Sequence, residues 1–150
     1  MADNLKVCRD DQVCPVCQNP YVPPVSKPVR TTPDILKYLE HFRDKKQEHV
    51  ISLSLDSGHR LIARRVVTIG TLESALIHPR EVFAGPLTDR AAAVIVAHNH
   101  PSGSPQPSKA DIDVTQQLAA AGQILGVTLR DHLIITTNEH FSFKSHFLLQ

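Results

Sequence analysis

Two histidines one residue apart, His98 and His100, close an apolar run from Ala91 to Ala97, and a turn-rich stretch later come Ser108 and Asp111. The spacing is H-x-H-x7-S-x2-D. Side chains of an extended strand alternate between its faces, so imidazoles at i and i+2 leave the same side together. They are a ready pair of nitrogen ligands. A carboxylate from the following element would make a third ligand and leave a fourth position for water, the arrangement in which zinc catalyses rather than only braces a fold. Asn99 projects from the opposite side of the strand and fits a turn or backbone hydrogen bond instead.

The chain between these residues is built to be tight. Pro101, Gly103, Pro105 and Pro107 stiffen the connection. Ser108-Lys109-Ala110-Asp111 then has the S-x-x-D form of a capping box, opening a helix expected from Ser108 to about Ala121 and ended by Gly122 and Gly126. Asp111 would sit in the first helical turn, beside unpaired backbone N–H groups. Capping alone accounts for Ser108 and Asp111, but not for two histidines immediately upstream.

Other elements follow from periodicity. Thr32 as N-cap and Pro33 at the first helical position open a helix carrying Ile35, Leu36, Leu39 and Phe42, expected to end between Asp44 and Gln47. From His49 to Leu55 the chain alternates Val50, Ser52 and Ser54 against Ile51, Leu53 and Leu55. Asp56-Ser57-Gly58-His59 turns it back into Leu61 to Ile69, which makes a hairpin. Pro79 starts a helix that Gly85-Pro86 should kink or shorten, with His78 as its cap. The unbroken apolar run Ala91 to Ala97 reads as a central strand covered on both faces. Thr128 to Thr136 and His140 to Phe143 read as the last strands. Strands and helices mixed in this order predict an α/β fold with a three-layer mixed sheet and helices on both faces. Ligands at a strand's C-terminal end and at the next helix's N-terminus occupy the usual site of such sheets.

At 150 residues the chain is about one domain in size, with residues 1–30 as a polar, Pro-rich arm and 31–150 as the domain. Nothing in it is long and apolar enough to span a bilayer, and no charged-then-apolar leader heads it, so a soluble cytoplasmic protein is expected. The formal net charge of +1 argues against a strongly basic nucleic-acid binder. Residues 27 to 65 nevertheless carry nine Lys or Arg against five acids. That excess is either a solvated face or a surface for an acidic partner. Cys8, Cys14 and Cys17 all lie in the arm, and Cys14-Pro15-Val16-Cys17 is like half of a zinc knuckle. Three thiolates lack a fourth ligand at knuckle spacing, so a free tail in a reducing compartment is the preferred reading and a second metal site the alternative.

Two neighbouring motifs do not match. The HNH nuclease motif spreads its residues over a ββα unit, whereas here His-Asn-His is contiguous. Zinc deaminases pair H-x-E with a later P-C-x-x-C, and here the Cys pair precedes both histidines. The chain does resemble the RadC branch of the JAMM, or MPN-domain, metalloproteases. His98, His100, Ser108 and Asp111 match the JAMM motif. The strings "HPREVF" at 78–83, "AAAVIVAHNHPSG" at 91–103, "PSKADIDVTQQL" at 107–118 and "LGVTLRDHLII" at 125–135 extend the likeness over about residues 30 to 150.

The resemblance implies an MPN fold of cytidine-deaminase-like architecture and a Zn2+ held by His98, His100, Asp111 and a water. It further implies a catalytic Ser108 that steadies the oxyanion, and an upstream glutamate as general base. Glu48, heading the strand-like run His49 to Leu55, fits that glutamate, and Glu81 in "HPREVF" is the competitor. His132 also resembles a family position, with a structural hydrogen bond as its expected role and nearness to the site as the alternative. The implied activity is hydrolysis of a peptide or isopeptide amide in a protein substrate. Full-length RadC proteins carry a helix-hairpin-helix segment ahead of the domain, for which the arm has no room, so DNA binding is expected to be weak and salt-sensitive at best. A non-hydrolytic DNA-repair accessory protein that retains the zinc site is the alternative class.

Overall fold

Alternation from Glu48 to Leu55 becomes strand β1 (Glu48–Leu55) in the computed structural model, which describes residues 27–70, 77–146, 148 and 149. Ile51, Leu53 and Leu55 bury on one face of the sheet, and Val50 packs with Val94 and Val96 on the other. The remaining strands are β2 (Leu61–Gly70), β3 (Ala93–Asn99), β4 (Thr128–Ile135) and β5 (His140–Ser142). Their order across the sheet is β2-β1-β3-β4-β5. β3 is the middle strand and every one of its residues is buried, as its unbroken apolar run requires. β1 pairs antiparallel with β2 and β3, β4 pairs antiparallel with β5, and β3 and β4 are parallel. Parallel neighbours need a crossover, which α3 (Lys109–Leu125) supplies.

Helices lie on both faces. A short α1 (Thr32–Leu36) and a 3-10 turn at Glu40–Phe42 cover one with Ile35, Leu39 and Phe42. The other is covered by α2 (Pro79–Thr88) and α3 through Val82, Phe83 and Leu118. This is the expected α/β, three-layer arrangement around a mixed sheet. Among the described residues no helix is long and apolar enough to cross a membrane.

Four helix boundaries differ from expectation. Thr31, not Thr32, caps α1, because a box needs its carboxylate three residues on; the Asp34 carboxylate accepts from the Thr31 hydroxyl at 2.7 Å and its N–H at 3.1 Å. The helix stops at Leu36 rather than near Asp44. Tyr38 and Leu39 bond back three residues to Ile35 and Leu36, and Arg64 donates to the Tyr38 carbonyl at 2.7 Å, which closes the turn tightly while Leu39 and Phe42 still reach the core. α2 continues through Pro86 to Thr88, with the proline ring itself buried. α3 likewise passes Gly122 and ends at Gly126, whose φ of 70° is the left-handed cap a glycine allows. Gly122 serves a different need: a Cβ there would lie 2.5 Å from the Val127 carbonyl oxygen, so its missing side chain lets β4 start against α3.

Asn99 shows why the end of β3 is fixed. Its side chain, buried on the face opposite His98, accepts from the His49 N–H at 2.7 Å and donates to the Lys45 and Gln47 carbonyls at 3.1 Å each. It thereby clamps the segment that leads into β1 to the strand that carries the histidines. Replacing Asn99 with Ala leaves these backbone groups without partners, and urea unfolding should show a loss of about 1–3 kcal/mol. An unchanged midpoint and slope would show that the clamp contributes nothing.

Candidate metal centre

The site forms where β3 ends and α3 begins. Val50 lies directly opposite His98 in the β1–β3 register, which puts His98 on the α2 and α3 face of the sheet. His100 follows two residues on. Gly103 has a φ of 85° and its N–H bonds the His100 carbonyl at 3.1 Å, a turn that brings the Ser104 carbonyl back to His100 Nδ1 at 2.8 Å. A carbonyl can only accept, so Nδ1 carries the proton and His100 Nε2 presents a lone pair.

Ser108 is the N-cap of α3. Its hydroxyl and N–H both donate to Asp111 Oδ2, at 2.6 and 2.7 Å, and its Oγ accepts the Asp111 N–H at 3.1 Å. The capping box expected from the sequence thus fixes one carboxylate oxygen. The other, Oδ1, lies 3.3 Å from His98 Nε2, while Oδ2 lies 3.7 Å from His100 Nε2. The two Nε2 atoms are 3.0 Å apart. Ligands about 2.0–2.1 Å from a tetrahedral ion stand about 3.3–3.5 Å from one another, so spacings of 3.0, 3.3 and 3.7 Å bracket that range and one ion needs only small shifts of the side chains. Asp111 is almost wholly buried. Burial works to raise its pKa, but the hydrogen bond and charge of His98, together with the Ser108 donors, hold the carboxyl well below the usual carboxylate range. It is an anion wherever the protein is folded near neutral pH. Among the described residues, His98, His100 and Asp111 are the one cluster of three His, Cys, Asp or Glu side chains that could hold a metal ion.

Glu48 opens β1 two residues before Val50, on the same face as His98 and at the strand end beside His100. Glu81 is in the first turn of α2, exposed and paired with Arg80 at 2.9 Å. Cys8, Cys14 and Cys17 lie outside the described residues. His132 is both hydrogen-bonded and next to the site: buried and stacked on Phe143 with ring centroids 4.8 Å apart, it has Nε2 at 2.9 Å from His98 Nδ1. Burial first, and the charge of His98 second, hold its pKa well below the ordinary imidazole value. Sequence reasoning missed Thr115, which is buried with its hydroxyl 2.6 Å from His132 Nδ1. Its signal was there, a lone hydroxyl one helical turn after Asp111 and on the same helix face.

Comparison with known proteins places the chain in a family. A family model described as the RadC-like JAB domain matches residues 29–148. The chain belongs to that family. This RadC-like JAB domain is 48% identical over 118 residues to a UPF0758 protein of Methanospirillum hungatei, an alignment covering 77% of the chain and 52% of the relative. Against a UPF0758 protein of Geobacillus thermodenitrificans identity is 45% over 117 residues, covering 77% and 52%. Against one of Chlorobaculum parvum it is 39% over 126 residues, covering 83% and 57%. The chain thus spans about half the length of the curated relatives it matches.

A divalent ion of zinc's class should bind this cluster and stabilise the fold. At an ion concentration 100-fold above Kd the gain is about 2.7 kcal/mol, visible as a raised melting temperature. His98→Ala combined with His100→Ala should abolish that rise. A variant whose melting temperature still climbs with the ion, with all three cysteines also replaced, would place the binding elsewhere.

Proposed function

We propose that this chain is a zinc-dependent hydrolase of peptide or isopeptide amides in a protein substrate. The observation that carries the reading is the convergence of two imidazole nitrogens and one ionised, buried carboxylate at spacings that suit a single tetrahedral ion, in a chain of the RadC-like JAB family. A donor set of two histidines and one carboxylate with an open fourth position is that of a catalytic rather than a structural zinc site. Bound there, Zn2+ would polarise a water and lower its pKa toward about 7.

The chain's own groups supply the rest. Glu48, on the His98 face at the open end of β1, takes a proton from the attacking water. The water oxygen adds to the amide carbonyl carbon, and the carbon–nitrogen bond then breaks as Glu48 returns the proton to the departing amine. Ser108 turns its hydroxyl toward the oxyanion as that charge develops. The Ser108 N–H, at 2.7 Å from Asp111 Oδ2, keeps the carboxylate oriented meanwhile. Residues 27–65, with their excess of Lys and Arg, offer an acidic partner at most a weak, salt-screened attraction.

Purified protein should contain about one zinc per domain and cleave members of a panel of peptides and isopeptide-linked conjugates. Glu48→Gln should leave the zinc in place and slow cleavage on the order of 100-fold or more. The same loss in Glu81→Gln, with Glu48→Gln active, would transfer the role of base to Glu81. Tight DNA binding at physiological salt that survives His98→Ala, with no amide cleaved, would replace the hydrolase with a DNA-associated accessory protein.

A further inference from the structure

We infer that Thr115 and His132 are positioning residues that lock His98 into the tautomer whose Nε2 can ligate a metal. The inference rests on the metal reading of the His98, His100 and Asp111 cluster, but not on which bond the protein hydrolyses.

The direction of each hydrogen bond is forced from one end. Thr115 Oγ1 lies 2.5 Å from the Asp111 carbonyl oxygen. Two oxygens that close need a proton between them, and a carbonyl has none to give, so the single Thr115 hydroxyl proton points at Asp111. Oγ1 is then an acceptor toward His132 Nδ1 at 2.6 Å, which must carry the proton there. The buried ring stacks on Phe143 and its two nitrogens meet the Thr115 hydroxyl and the His98 ring, so with its proton at Nδ1 the lone pair of His132 lies at Nε2. That atom faces His98 Nδ1 at 2.9 Å, a direct contact with no metal position between the two nitrogens, so one of them must carry the proton. His98 therefore donates from Nδ1, which leaves Nε2, the atom 3.3 Å from Asp111 Oδ1 and 3.0 Å from His100 Nε2, as the nitrogen free to face a metal.

The elements make this chain of bonds possible. β4 runs parallel to β3 with Val96 opposite His132, so His132 stands one pleat below His98 on the same face. Thr115 is one turn beyond Asp111 on α3. Asp111 consequently holds both ends of the arrangement, its carboxylate at the metal position and its backbone carbonyl as the last acceptor. Partners that fix a ligand histidine's second nitrogen commonly change metal affinity by about 10–100-fold when removed.

Zinc affinity measured by chelator competition, and imidazole nitrogen NMR on the full chain, test this. In the zinc-loaded wild type, NMR should show His98 protonated at Nδ1 and bound through Nε2. His132→Phe keeps a ring against Phe143 but offers no acceptor, and should weaken zinc binding about 10–100-fold. His132→Gln, which can place an amide oxygen near the Nε2 position, should restore most of the affinity. Thr115→Val tests the far end with little change of shape and should leave His98 a mixture of tautomers. Wild-type affinity in a folded His132→Phe, or His98 bound through Nδ1, overturns the inference. If the wild type takes up zinc but hydrolyses no amide, the hydrolase reading fails while these affinities and tautomers still decide the relay. If it takes up no zinc, both fail together.

Discussion

Burying a carboxylate is costly unless donors and opposite charge meet it, and the organisation of this site follows from the way Asp111 is met. Ser108 supplies two donors from the N-cap of α3, the first turn supplies its positive end, and His98 faces the remaining oxygen. Each of those partners comes from a different part of the chain. The cap requires α3 to start at Lys109. The histidine requires β3 to deliver position 98 to the helix-covered face, and the Pro- and Gly-rich connection between them must be short enough to keep both within reach. An ion at the convergence would complete the compensation, since a cation held by all three groups would bring full opposite charge to the buried carboxylate.

The last residues of β3 serve two faces at once. His98 and His100 turn toward α3 while Asn99, between them, turns toward the segment before β1 and binds three of its backbone groups. Strand alternation makes these roles inseparable: any slip of β3 by one residue would send the two histidines into the apolar face and Asn99 into the candidate site. The complete burial of β3 and its pairing on both edges oppose such a slip. Rigid placement of the two histidines is thus a consequence of the same packing that makes β3 the core of the sheet.

What could be read from the sequence was local. The alternation in β1, the apolar run of β3 and the S-x-x-D box each depend on neighbours within a few residues, and the fold class followed from their order. The early stop of α1 was not legible because it depends on Arg64, on β2, reaching the Tyr38 carbonyl. Gly122 looked like a helix end, and only the approach of the Val127 carbonyl shows that it is a packing position. In the site, the JAMM spacing marked His98, His100, Ser108 and Asp111, whereas what the Thr115 hydroxyl does became visible only when β4 placed His132 between it and His98. A strand from one part of the chain and a helix from another had to meet first.

In the proposed chemistry Ser108 serves both stability and catalysis without a conflict. In the folded protein its hydroxyl is committed to Asp111 Oδ2 at 2.6 Å, which on its own would make it unable to donate to a substrate oxygen. The same carboxylate oxygen, however, also receives the Ser108 backbone N–H at 2.7 Å, a donor that cannot turn away. Rotating the hydroxyl toward a developing oxyanion therefore gives up one of two charge-assisted bonds, each worth about 1.5–3 kcal/mol, and exchanges it for another of the same kind. Asp111 keeps its orientation through the backbone throughout. The capping box, whose local purpose is to begin a helix, is in the proposed chemistry also what allows its serine to leave.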